Sequence, residues 1–360
     1  MYVVTNREIV EDATGLERFG RRPNRQGPNE LRLAEVTRRG RGWSVEFLDD
    51  VLPQAEVEAL IGEFRLPIDP ALPQYASLRV ACELTRRARR NKRHILLLVH
   101  GYNNDMGDVI GAAQDLERRY GVEVLPFSWP ANGGGVHGVV SYKSDKRDAR
   151  ASAGALERTL EKMHQLLGLI TQARREELYA KAAVRHPDAA EAREGLYAKL
   201  LEKDCPFTVN VMFHSMGNYL LKHMLKSSLT QGNGLLFDNV VLCQADTNNR
   251  DHAAWVDSIR FRNRLYVTIN ENDFALRASR AKAGSEQLAR LGHYARDLAS
   301  RSAHYINLTE AAWVRNSHSP FGEPADKNEQ VFEFFRQAFS GQAAEAALRY
   351  NPAGNWFETK

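Results

Sequence analysis

From residue 95 onward the chain is punctuated by short, mostly apolar runs, continuous at Ile95–Val99, each closed by a glycine or by polar turn residues. They are Ile95–Val99, Val122–Phe127, Val209–Phe213, Val240–Cys243 and Leu265–Ile269, with a weaker one at Tyr305–Leu308. A short apolar run without polar alternation is what a strand covered on both faces requires. Between several of these runs the period changes. Ser152–Ile170 is apolar at Leu156, Leu160, Met163, Leu167 and Ile170, which predicts an amphipathic helix. Strands alternating with helices predict an α/β fold, a mostly parallel sheet with helices on both faces.

The first ninety residues read differently. Met1–Thr5 predicts a short strand, and Trp43, Val45 and Phe47 alternate with polar neighbours to predict a second. Taken as antiparallel leading strands, the two bring the sheet to eight. Arg18–Arg41, rich in Arg, Gly, Pro and Asn, predicts a long loop. Pro53–Phe64 predicts a helix, apolar at Val57, Leu60, Ile61 and Phe64, before Pro67, Pro70 and Pro73 break the chain. A sheet of this kind uses most of the chain, so residues 1–360 are expected to form a single domain. Residues 172–204 interrupt the alternation with seven basic and seven acidic side chains and a break at His186-Pro187. They predict a solvated helical hairpin, with a lid or a surface for a protein partner as the alternatives.

Composition narrows the function classes. With 43% hydrophobic and 26% charged residues the chain is globular in type. A formal net charge of +4 does not call for nucleic acid. The one dense basic run, Arg86–Arg93, reads as a solvated helix end. Cys82, Cys205 and Cys243 form no C-x-x-C pair, which suits a reducing compartment and excludes a disulfide framework or a cysteine-rich zinc site. No apolar run approaches the roughly 20 residues that span a bilayer, and the N-terminus lacks a signal-peptide pattern. A cytoplasmic protein is the expectation; oligomeric state has no sequence signal.

The strongest chemical signal is Phe213-His214-Ser215-Met216-Gly217, directly after an apolar strand and before the apolar helical segment Tyr219–Leu225. Strand, sharp turn and helix is the setting of a nucleophile elbow, in which the turn lifts a serine hydroxyl above the sheet. Gly217 suits the close approach of helix and strand, whereas the usual motif has glycine where Phe213 stands. His214 flanks the serine as a neighbour. The second signal is His100-Gly101-Tyr102-Asn103 after Ile95–Val99. Acyl transfer develops an oxyanion that needs fixed donors, each worth roughly 3–4 kcal/mol. The backbone N–H groups of Met216 and Tyr102 are the candidates. His100 is expected to fix the turn, and Gly101 and Asn103 to line the site.

These blocks, together with Phe127-Ser128-Trp129-Pro130, Tyr142-Lys143-Ser144-Asp145, Asn272–Leu276 with Ser279, and Ser317-His318-Ser319, resemble a family of α/β hydrolases of unknown function over residues 93–322. Residues 1–90 and 172–204 fall outside that resemblance. It implies a Ser…Asp…His order, since the serine needs a base and the base needs a carboxylate. Asp273, just past Leu265–Ile269, is the expected acid, with Asp246 after Val240–Cys243 as the alternative. His318 is the expected base, with His304 as the alternative. Trp129 could line an acyl pocket or fill the core, and Tyr142 and Asp145 could hold the entrance loop or lie on the surface. The remaining histidines show no metal-ligand spacing, and no metal or cofactor is required. Asn132–Gly135 resembles a phosphate cradle but lacks the lysine of a P-loop, so a loop near the site is expected. The expected activity is that of a serine esterase acting on a small-molecule or lipid ester. A non-catalytic interaction module and a lipid-directed hydrolase stand as alternatives, and peptidase chemistry would use the same residues.

Overall fold

A computed structural model describes residues 1–131, 138–204, 207–227, 236–281 and 289–359. The strands are β1 (Tyr2–Thr5), β2 (Arg7–Ile9), β3 (Phe19–Pro23), β4 (Arg32–Arg39), β5 (Gly42–Phe47), β6 (Ile95–Val99), β7 (Glu123–Ser128), β8 (Val209–His214), β9 (Asn239–Cys243), β10 (Arg264–Ile269), β11 (Ala303–Asn307), β12 (Arg349–Asn351) and β13 (Trp356–Glu358). Eleven of them form one sheet in the order β12-β13-β11-β10-β9-β8-β6-β7-β1-β4-β5, and β2 pairs with β3 apart from it. From β1 to β13 the neighbours run parallel.

All eight runs read as strands enter this sheet, but among the described residues it has eleven strands, not eight. The N-terminal strand is also not an antiparallel leader. β1 lies parallel to β7, with Val4 opposite Phe127, and antiparallel to β4. The segment Arg18–Arg41, expected as a loop, supplies both β3 and β4. Its charged residues mask the pattern: Ala34 and Val36 turn inward and are buried, between the half-buried Leu33 and Glu35 and the exposed Thr37. That is the alternation of a strand with one wet face.

The middle of the sheet is dry on both sides. Ile95, Leu97 and Val99 of β6 face one apolar cluster with Leu78 of α2 (Ala76–Asn91) and Leu156 and Met163 of α5 (Ala153–Arg185). Leu96 and Leu98 face the other, with Leu116 of α3 (Met106–Tyr120) and Phe334 and Phe335 of α11 (Glu329–Phe339). Pro53–Phe64 matches α1 (Gln54–Phe64) within a residue.

The helix expected at 152–170 continues to Arg185, 33 residues or about 50 Å at 1.5 Å per residue. It turns back at 186–189 into α6 (Ala190–Lys203). The hairpin is tied by the ion pair of Arg174 with Asp204 and by the edge-on pair Tyr179 and Tyr197. It borders a cleft shared with Thr208 and Val209 at the start of β8 and Asp238 at the start of β9. The hairpin therefore sits at the N-terminal edge of the strands. The strands end, and the residues described below gather, at the opposite edge. Among the described residues no helix is long and apolar enough to cross a membrane. Cys82 and Cys243 are buried free thiols; Cys205 and the glycine-rich run Asn132–Gly135 lie outside the described residues.

Candidate active site

β8 ends at His214 and α7 (Gly217–Ser227) starts three residues later, so Ser215 must turn sharply. It does so in the left-handed region, at φ 52°. A non-glycine residue there costs on the order of 1–3 kcal/mol and persists only where its surroundings fix it. Here the Ser215 amide donates to the Cys243 carbonyl at 3.0 Å, and the Ser215 carbonyl accepts from the amides of Asp246 and Asn218, both at 3.1 Å. Gly217 passes so close to β6 that a Cβ there would lie 2.7 Å from the Val99 carbonyl oxygen and 2.9 Å from that of His100. Phe213 is accommodated because its ring is buried in the apolar cluster with Leu221 and Met224. Met216 follows at the helix start, whose first amides have no intrahelical acceptor.

Asp273 lies four residues beyond Ile269, the last residue of β10, and caps α9 (Phe274–Ala281). Its Oδ1 accepts from the amides of Ala275 and Leu276 at 2.9 and 3.0 Å. Its Oδ2 accepts from Nε2 of Gln244 at 3.1 Å and Nδ1 of His318 at 2.7 Å. Burial pushes this carboxyl upward, but the hydrogen bond and charge of His318, with the Leu276 amide and the Gln244 side chain, outweigh it and hold it below its ordinary value. Because Nδ1–H of His318 faces the carboxylate, the lone pair of the neutral ring resides on Nε2.

The loop carrying His318 follows β11 and is fastened mainly through its backbone. Nδ2 of Asn270 donates to the carbonyls of Arg315 and Ser317 at 2.9 and 3.1 Å. The Phe274 amide donates to the Asn316 carbonyl, and Nε2–H of His214 to that of His318 at 2.9 Å. Burial, and secondarily the neighbouring His318, push His214 down to about 3, so it serves as a neutral donor.

Ser215 and His318 border one open cleft of about 410 Å³, with Gly101, Tyr102, His214 and Phe274. Ser215 is only 2% exposed and forms part of the floor, while Phe274, 60% exposed, stands at the mouth. The wall after β6 is shaped by Asn103, left-handed at φ 56°, whose amide donates to Oδ2 of the buried Asp145 at 3.3 Å. The Tyr102 ring packs edge-on against Tyr142. Tyr142 and Asp145 are buried, so the surface alternative for them does not hold. A Cβ at Gly101 would come within 2.8 Å of the Ser215 Cβ and 3.3 Å of its Oγ. Gly101→Ala should therefore lower turnover about 100-fold by displacing the hydroxyl, with a small change in melting temperature; steady-state kinetics beside thermal melts check this.

Several expected site residues lie elsewhere. Trp129 is fully buried and stacks on His100 at 5.3 Å; neither it, His100, Asn103 nor Gly217 borders the cleft that holds Ser215. Nδ1–H of His100 donates to the Gly101 carbonyl at 2.7 Å, and its Nε2 accepts from the Trp129 amide at 3.2 Å. Asp246 does not meet His318. It forms a buried ion pair with Nε of Arg290 at 3.0 Å and accepts from Tyr142 at 3.0 Å and Ser279 at 2.7 Å. His304 lies near the start of β11, 3.8 Å from Glu345 and away from the cleft.

Burial, with the Arg7 charge next, pushes His100 down to about 3. Its unfolded value is about 6.5, so the unfolded chain binds the extra proton between these limits. The associated stability is fully present above pH ~6.5 and is lost as pH falls toward 3, at up to about 1.4 kcal/mol per pH unit. Urea unfolding at pH 7.5, 6 and 5 should show a progressive loss; His100→Asn should flatten part of it.

Two contributors escaped the sequence reading. Gln244, left-handed at φ 44° and fully buried, orients Asp273, and Asn270 clamps the His318 loop. The available signal was position: both are polar residues at the C-terminal end of a buried strand. Among the described residues no group of three or more His, Cys, Asp or Glu side chains is arranged to hold a metal ion.

A family model described as alpha/beta hydrolase of unknown function (DUF900) matches residues 79–170 and 188–322. No curated protein and no solved structure matches the chain.

Proposed function

The chain belongs to the alpha/beta hydrolases of unknown function, and from that premise we propose that it cleaves a carboxylic ester or related acyl bond through Ser215, His318 and Asp273. The supporting observation is the 2.7 Å contact between His318 and Asp273, made by a ring that borders the same cleft as a serine in a left-handed elbow. In this reading the Ser215 hydroxyl gives its proton to Nε2 of His318 as Oγ bonds to the acyl carbon. Asp273 keeps the ring in the tautomer that can accept, and stabilises it once charged. The amides of Tyr102 and Met216 bind the oxyanion. His318 then protonates the departing alcohol, leaving the acyl group on Ser215. Water, deprotonated by the same ring, attacks that ester and returns the hydroxyl to Ser215 with release of the acid.

The test is a fluorophosphonate probe on the full chain beside a series of model esters from acetate to long acyl chains. Labelling with turnover of at least one ester is expected, and the preferred chain length separates a small ester from a lipid as substrate. Absence of both labelling and turnover would discard the proposal.

A further inference from the structure

Arg7 belongs to the N-terminal segment that the family match does not reach, yet it is 1% exposed and lies at the C-terminal edge of the sheet. The run Thr5-Asn6-Arg7 leaves β1 with all three side chains buried. The Thr5 hydroxyl donates to the Ser128 carbonyl at 2.8 Å, and its oxygen accepts from the Arg7 amide at 3.0 Å. This directs the guanidinium beneath the loops that follow β6 and β7. Nε donates to the Ser128 hydroxyl at 2.8 Å, Nη1 to the Gly20 carbonyl at 3.3 Å, and Nη2 to the carbonyls of Asn104 at 3.0 Å and Ala131 at 3.5 Å.

All these partners are neutral oxygens; Asp105 and Asp145 act on the cation only through space. Burying a guanidinium on such terms is costly, and burial pushes it down to about 10. A methionine or leucine would fill the space at less cost. What only a planar fork with several donors provides is a fixed spacing between three separate pieces of backbone. One of them, Asn104, lies two residues beyond Tyr102 and borders the cleft.

We propose that Arg7 is a positioning residue for the oxyanion-binding loop, so that the segment preceding the family-matched region completes the active site. The inference rests on the serine hydrolase reading above. Arg7 touches no substrate; it acts by holding Asn104, and through it the Tyr102 amide, in register with Ser215, and by keeping a positive charge beneath the loop.

The experiment compares wild type, Arg7→Lys, Arg7→Met and Arg7→Ala as full chains. The readouts are melting temperature, the second-order rate of fluorophosphonate labelling, and kcat and KM on the best model ester. Arg7→Met should label about 30-fold more slowly, with a matching loss in kcat and KM within about twofold. Arg7→Lys, which keeps the charge but cannot span the carbonyls, should remain folded and lose about five- to tenfold. Guanidinium chloride at a few tens of millimolar should restore part of the Arg7→Ala labelling rate, and ethylammonium should not; a merely structural residue would show no such discrimination. Wild-type labelling by a folded Arg7→Lys or Arg7→Met overturns the proposal while leaving the hydrolase reading intact. A wild-type chain that neither labels nor turns over any of the esters sinks both.

Discussion

Ser215→Ala should leave a folded protein without activity. Ester turnover is expected to fall by at least four orders of magnitude, toward what binding and the oxyanion donors retain alone. Fluorophosphonate labelling should vanish. The fold should survive because Ser215 contributes to packing mainly through its backbone: its amide and carbonyl contacts to Cys243, Asp246 and Asn218 are unaffected by loss of the hydroxyl. Alanine tolerates the left-handed turn no worse than serine does. Thermal melts of the variant should therefore overlay wild type within a few degrees. Residual activity above one part in a thousand, with labelling at another residue, would reassign the nucleophile.

The second large effect separates two buried aspartates by what each removal breaks. Asp273→Asn keeps the shape and an oxygen to cap α9, but an amide facing Nδ1 of His318 favours the tautomer with its proton on Nε2. That ring cannot accept from Ser215, and kcat should fall by about 10³- to 10⁴-fold with stability changed by no more than about 1–2 kcal/mol. Asp246→Asn should behave in the opposite way. It leaves Arg290, 3% exposed, without its carboxylate, and breaking a buried pair in this manner costs about 3–5 kcal/mol. Activity per folded molecule should stay within tenfold of wild type. Urea denaturation and ester kinetics on both variants decide it; a stability loss at Asp273→Asn with activity loss at Asp246→Asn would exchange their roles.

What could be read in advance follows from how each feature is encoded. β6 and β8 were legible because both faces are dry, so every position in Ile95–Val99 and all but Asn210 in Val209–Phe213 is apolar. Gly217 and Gly101 were legible because a tight turn admits few residue types. β4 was not, because only Ala34 and Val36 turn fully inward, and the arginines and Glu35 around them swamp that pair. β12 and β13 are three residues each, too short for a period to register. Between Asp273 and Asp246 the sequence favoured the first, yet both follow apolar strands, and the pairing of Arg290 with Asp246 could not be read from either segment. Gln244, Asn270 and Arg7 share a common obstacle. A buried polar side chain is explained by its partners, and partners 29, 45 and 97 residues away in sequence are brought together only by the completed sheet.

The fastening of the His318 loop has an effect on how this protein tolerates change. Asn270, Phe274 and His214 grip the carbonyls of residues 315 to 318, groups that every amino acid carries alike. The tether is therefore indifferent to which side chains occupy 315 to 317. Variation can accumulate on that rim, altering what is admitted to the cleft, while the imidazole keeps its place; the vulnerable points are the three anchors, two of which sit beside residues 215 and 273.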